Sequence, residues 1–295
     1  MADAVLFQNG IGNFILTTPF LQNLNAPEIF MARDFESTAS VRSISRWPVR
    51  DYEDAENVPA RFDRVFVLWG WPVEKVVEGP NVIRQVKPKW RDDPRHEVKH
   101  YTDLLKESRQ FPTVIETRWS WRPALGEGEK LVALVNGANP AWKNKLWPPE
   151  YWCDLARRLA ARGDTQLVVL GGPSETAFGK AVTAAVGRRC WNFTGVWTFA
   201  QSAHFLTWCD LLVTNDTALM HVADVLARPV VAIWAWTLWH KNHPYNHEAH
   251  VVKSDGGGCP HFPCYGTPVM WTCDDAVCMK AISAQAVYDE VVRVL

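Results

Sequence analysis

The sequence predicts an α/β protein built on parallel sheets with helices on both faces, and three observations predict it. From residue 131 to residue 234, short apolar runs alternate with polar loops and helical patterns. Within that span the run 211–213 ends in Thr214-Asn215-Asp216-Thr217. A helical pattern follows (Leu219, Val222, Ala223, Leu226), and a second apolar run, 230–234, comes after Arg228-Pro229. Strand, turn, helix, strand is the unit that joins parallel strands. The chain also opens on strand, glycine-bearing turn and helix, the same order.

Residues 3–7 (DAVLF) read as the first strand. The turn 8–13 carries Gly10 and Gly12, and a helix runs on to about Leu24, with Pro19 placed in its tolerant first turn. The turn is G-x-G without the third glycine of a dinucleotide fingerprint, so a nicotinamide-dependent enzyme is disfavoured. Residues 28–32 (EIFMA) and 65–69 (VFVLW) are the second and third strands. Residues 84–100 are locally basic, with Arg84, Lys87, Lys89, Arg91, Arg95 and Lys99 beside Trp90, His96 and His100. The reading there is a solvated surface helix, with a recess for an anionic acceptor as the alternative. Residues 119–128 (WSWRPALGEG) have the texture of a linker, which divides the chain into domains 1–125 and 126–295.

The second half is more regular. Strands are read at 131–135, 167–170 and 190–193. Helices start at Pro148 or Pro149, after Glu175, and near Phe199, and an amphipathic helix occupies 283–292. Right-handed crossovers bring the strand-to-helix loops to one sheet edge, so the loops around Lys145, Glu175, Asp216 and Thr237 meet there. Asp216 or Thr217 is placed to cap the following helix. The N–H groups at that helix start, at the carboxyl end of a strand, suit an anionic group.

At 295 residues the chain suits one large domain or two medium ones. A net charge of −1 argues against general nucleic-acid binding. The start MADAVLFQNGIGN has no basic leader, and no run approaches the ~20 apolar residues of a membrane span. The expectation is a cytoplasmic protein, with peripheral contact to a membrane face left open. Seven cysteines, an odd count, argue against a disulfide framework. Cys259, Cys264, Cys273 and Cys278 run C-x4-C-x8-C-x4-C, at the edge of zinc-ligand spacing. They are read as reduced thiols, with structural zinc as the alternative, and His240, His243, His247 and His261 as loop residues.

With these loops in place the chain resembles the heptosyltransferase family of glycosyltransferases, family 9. Residues 12–24 (GNFILTTPFLQNL) look like its opening GDxxxxxP segment, and Lys145-Leu146-Trp147-Pro148 like its K-x-W-P element. Gly171-Gly172-Pro173-Ser174-Glu175 looks like its GGxxE loop, and Asp216-Thr217-Ala218-Leu219-Met220-His221 like its D-[ST]-G-x-x-H element. The tail with Cys278-Met279 and Ile282-Ser283 is also similar. The resemblance implies a GT-B fold, two Rossmann-like domains with parallel sheets facing a cleft. It implies that the N-terminal domain binds an acceptor and the C-terminal domain a nucleoside-diphosphate sugar such as ADP-heptose. The implied reaction is inverting transfer to a hydroxyl on a glycan, a lipid-linked or a small-molecule acceptor, with no metal and no further cofactor. Lys145 and the N–H groups at Thr217 and Ala218 would stabilise the leaving diphosphate. Glu175 would take ribose hydroxyls, and Gly12, Asp216, His221, Trp236 and Thr237 complete the implied site.

The chain departs from the family at three places. Asn13 stands where the family has an aspartate base, and a neutral amide cannot take the acceptor's proton. Either Asn13 positions a substrate while Asp34 or Asp51 is the base, or transfer proceeds with weak base assistance, or the protein binds sugar nucleotides without turnover. Ala218 and Ala235 stand where glycines would let phosphate approach the backbone.

Overall fold

The structure is a computed structural model that describes residues 2–32, 38–52, 58–59, 61–68, 80–85, 92–105, 107–116, 119 and 123–295. The chain divides into two compact units: Met1–Glu116 with His240–Tyr245, and Thr117–Trp239 with Asn246–Leu295. The chain therefore leaves the first unit, returns to it for six residues, and leaves again.

The first unit contains β1 (Asp3–Leu6), α1 (Ile11–Leu21), β2 (Glu28–Ala32), α2 (Thr38–Ile44), β3 (Val49–Tyr52), β4 (Arg64–Val67), β5 (Val82–Arg84) and α3 (Glu97–Thr102). Its sheet has the order β3-β2-β1-β4-β5, every pair parallel. The central strand β1 is buried along its whole length, and Ala4, Leu6, Phe30, Val65 and Val67 pack as one cluster. An uninterrupted apolar run is what a parallel strand covered on both faces requires.

Two expectations for this unit are corrected. Pro19 lies near the end of α1, not in its first turn. Proline removes the N–H that would reach the Ile15 carbonyl, and the Thr18 hydroxyl donates to that carbonyl instead, at 2.7 Å. The described part of the basic stretch is only partly helical, and its helix is not wholly solvated. Arg84 ends the edge strand β5, and residues 97–100 begin the short helix α3, in which Glu97 and Tyr101 are fully buried. Lys87, Lys89, Trp90 and Arg91 lie outside the described residues.

The second unit contains β6 (Lys130–Val135), α4 (Pro149–Ala161), β7 (Thr165–Val169), α5 (Thr176–Val186), β8 (Cys190–Asn192), α6 (Phe199–Phe205), β9 (Leu211–Asn215), α7 (Ala218–Val225) and β10 (Val230–Trp234). The short α8 (Trp239–Asn242) runs into the return segment. It is followed by β11 (His250–Lys253), α9 (Val269–Thr272), α10 (Val277–Lys280) and α11 (Ala284–Val294). The sheet order is β11-β10-β9-β6-β7-β8, again all parallel. From its own first strand this is the 3-2-1-4-5-6 order of a dinucleotide-binding sheet, so the winding reverses between β6 and β9. Ligands of such sheets sit at that reversal, beyond the carboxyl ends of the strands.

Candidate functional site

Two buried asparagines shape the reversal point. Asn215, at the end of β9, accepts from the Gly137 N–H at 3.2 Å and donates to the carbonyls of Gly137 and Lys145 at 2.9 and 3.0 Å. Asn136, just after β6, donates to the Trp147 carbonyl at 2.9 Å and accepts from its N–H at 3.0 Å. A side-chain amide can serve both backbone donors and acceptors, so these two residues tie the 136–147 loop to the β9 turn. Asn215→Ala would leave three half-buried backbone groups without this partner. It is expected to lower unfolding free energy by about 2 kcal/mol, read by urea titration; an unchanged midpoint would show the loop is held otherwise.

The clamp sets Lys145 against the next turn. Its Nζ lies 2.8 Å from Asp216 Oδ2, with the two side chains only 12% and 14% exposed. The same Nζ sits 5.1 Å over the Trp142 ring, which meets Trp236 edge-on at 6.0 Å. Trp236 is buried and donates through Nε1 to the Asn144 carbonyl at 3.0 Å. It thus backs the loop that carries Lys145.

Thr217 is the N-cap residue of α7, but its hydroxyl does not cap the helix; it bonds Thr214 Oγ1 at 2.9 Å. Asp216 is turned to Lys145. The Thr217 side chain therefore does not take the role of cap expected of it. The N–H groups of a first helical turn have no acceptor within the helix, and here they stand beside a lysine. His221 is buried on α7. Glu175 accepts from the Gly172 N–H and the Ser174 hydroxyl, both at 2.7 Å, closing the turn before α5. Thr237 is nearly buried, and its carbonyl accepts from Trp234 Nε1 at 2.8 Å. The second unit thus gathers Gly137, Lys145, Asp216, Thr217 and Ala218 at one point, with Glu175 and Thr237 on other loops of its sheet.

Gly12 and Asn13 belong to the first unit, in the opening turn of α1. Asn13 Nδ2 donates to Glu97 Oε1 at 2.6 Å. Glu97 is fully buried and also receives Tyr101 Oη at 2.6 Å, Lys241 Nζ at 2.6 Å and Asn242 Nδ2 at 3.0 Å. Burial alone would push this carboxyl up. The Lys241 charge, with hydrogen bonds from Lys241, Tyr101 and Asn13, outweighs it and holds Glu97 below the ordinary carboxylate range. Of the carboxylates considered as base, Asp51 is paired with Arg42 at 2.8 Å, and Asp34 lies outside the described residues.

Residues 67–264 match the family described as glycosyltransferase family 9 (heptosyltransferase). The chain belongs to this family. It is 32% identical over 136 residues to lipopolysaccharide heptosyltransferase 2 of Salmonella typhimurium, a match spanning 44% of this chain and 38% of that one. The matched stretch thus covers well under half the length of the curated relative. Two solved structures share the fold along nearly all of both chains. The ADP-heptose lps heptosyltransferase II of Escherichia coli has a TM-score of 0.72 at 17% identity, covering 100% of this chain and 98% of that one. A family 9 glycosyl transferase from Veillonella parvula has a TM-score of 0.73 at 19% identity, covering 99% and 96%. The GT-B class implied by the sequence motifs is therefore the fold of this chain.

In this family 9 chain, Cys259, Cys264, Cys273 and Cys278 line one cavity of about 250 Å³ in the second unit, with His261, Asp274 and Trp236. Burial, reinforced by the neighbouring thiols, pushes Cys278 up to about 11, so it is protonated at neutral pH. Among the described residues no group of three His, Cys, Asp or Glu stands where it could hold a metal ion. No described helix is long and apolar enough to cross a membrane. Sequence reading missed Asn215 and Glu97. Asn215 stands inside an apolar strand run and Glu97 inside a charge run, and only the fold shows which neighbours each one serves.

Proposed function

We propose that this family 9 chain transfers heptose from ADP-heptose to a hydroxyl of a lipopolysaccharide-type acceptor, with inversion and without a metal. The observation that carries this reading is the ion pair that sets Lys145 beside the start of α7, whose N-cap residue makes no side-chain cap bond, at the reversal point of the second sheet. A cation beside free helix-end N–H groups stabilises a leaving diphosphate. The relatives' names supply the sugar and the acceptor class. In this reading residues 126–295 bind the donor and residues 1–125 the acceptor. The acceptor oxygen bonds to the anomeric carbon from the face opposite ADP. ADP departs with the electron pair of the broken C–O bond, and the acceptor's proton is released. Glu175 binds the ribose once its turn opens, and His221, Trp236 and Thr237 shape the donor pocket.

The test is release of ADP from ADP-heptose in the presence of heptose-deficient lipopolysaccharide, alongside thermal stabilisation by ADP alone. Stabilisation with acceptor-dependent release is expected. Stabilisation without release would leave a sugar-nucleotide binder, and neither would remove the donor site.

A further inference from the structure

The chain's main departure from its family, Asn13, has a partner that accounts for it. Each Glu97 oxygen receives two donors: Asn13 and Tyr101 on Oε1, Lys241 and Asn242 on Oε2. Lys241 Nζ also donates to Asn242 Oδ1 at 2.8 Å. A carboxylate held ionised can only accept, so the Asn13 atom facing it is Nδ2, and Oδ1 is turned away. Oδ1 lies on the side of Gly10, where a Cβ would approach it at 3.7 Å and where glycine leaves room. An aspartate at residue 13 would bring a second carboxylate within 2.6 Å of Glu97. Two carboxylates that close cannot both stay ionised. The amide at 13 and the carboxylate at 97 therefore belong together.

We propose that Glu97 is the positioning residue for Asn13, anchoring its amide through Nδ2 so that Oδ1 receives the acceptor hydroxyl. The proposal rests on the transfer reading above. Glu97 itself has no exposed surface and no oxygen without donors, so it does not meet the substrate. Its work is to fix one rotamer of a neighbouring amide, and to do so with groups drawn from α1, α3 and the return segment. Orientation of this kind acts on the chemical step more than on donor affinity.

The experiment is a charge swap: Asn13→Asp, Glu97→Gln and the double variant, each followed by thermal midpoint and by ADP-heptose transfer to heptose-deficient lipopolysaccharide. Glu97→Gln is expected to lower kcat by about 10²-fold, with KM for ADP-heptose changed no more than about twofold. Each single variant lowers the midpoint. The double variant loses less than the sum of the single losses and regains part of kcat, because one carboxylate and one amide again face each other while Lys241 still lacks its carboxylate. Additive losses, or a double variant that does not fold, would overturn the proposal. So would Glu97→Gln with wild-type kcat, or with its whole effect in KM. A wild-type protein that ADP stabilises but that transfers nothing would sink the transfer reading and the positioning role with it. Wild-type turnover with an uncoupled swap would sink the positioning role alone.

Discussion

Lys241→Ala is expected to lower the unfolding free energy by about 3–5 kcal/mol at neutral pH, the range found when one partner of a buried pair is removed. The urea midpoint would fall with little change in slope. The magnitude follows from burial: Lys241 and Glu97 are 4% and 0% exposed, so water cannot take the lysine's place. The pH dependence has a definite sign. In the wild-type protein Glu97 is held below its ordinary value. Its stabilisation is complete above the unfolded glutamate pKa of about 4.3 and is lost as pH falls through the lower folded value. In Lys241→Ala only the burial and the neutral donors remain, and the carboxyl rises. The variant then recovers stability as pH drops towards 5, while the wild type does not. A deficit that stayed constant between pH 8 and pH 5 would show that Glu97 does not carry the charge assigned to it. Glu97→Gln/Lys241→Met, which removes both charges, should lose much less than Lys241→Ala.

Lys145→Ala should weaken ADP binding by about 10- to 100-fold, since a charge-assisted hydrogen bond contributes roughly 1.5–3 kcal/mol. Calorimetric titration with ADP measures it directly. The loss has two sources. The cation over Trp142 is gone, and Asp216, 14% exposed, loses that cation beside the helix start proposed to receive the phosphates. Lys145 does not meet ADP as a free charge, because Asp216 already holds it at 2.8 Å. Binding must share or exchange that contact. Asp216→Asn should therefore leave ADP affinity equal to or above that of the wild type. Wild-type affinity in Lys145→Ala would place the diphosphate elsewhere.

The long buried strands were legible because a parallel strand covered on both faces needs a continuous apolar run, and β1, β6, β9 and β10 each supply one. Of the four described edge strands of the two sheets, only β8 was. VRDY, VIR and HVVK are three or four residues long and each carries a basic residue, so their strand character comes from the neighbour they pair with. Lys145 and Asp216 could each be picked out by motif, but their ion pair joins two loops 71 residues apart in sequence and follows from the winding reversal between β6 and β9. Thr217 as a cap was a local inference, and its hydroxyl meets Thr214 instead. Glu97 was hidden for a related reason. In the string RHEVKHY a glutamate looks solvated, and its burial depends on a lysine in another part of the chain.

That lysine gives the first unit an unusual timetable. Glu97 and Lys241 are 144 residues apart, with most of the second unit encoded between them. At roughly 5–20 residues per second on the ribosome, Glu97 waits about 7–29 s for its counter-ion to be made. During that interval the first unit can form its five strands, but Glu97 has only the neutral donors Asn13 and Tyr101. A nascent chain arrested before residue 241 should therefore be more open to protease around α3 than one arrested after residue 245 has cleared the exit tunnel. The opening turn that carries Asn13 would acquire its final shape only after the return segment has left the ribosome.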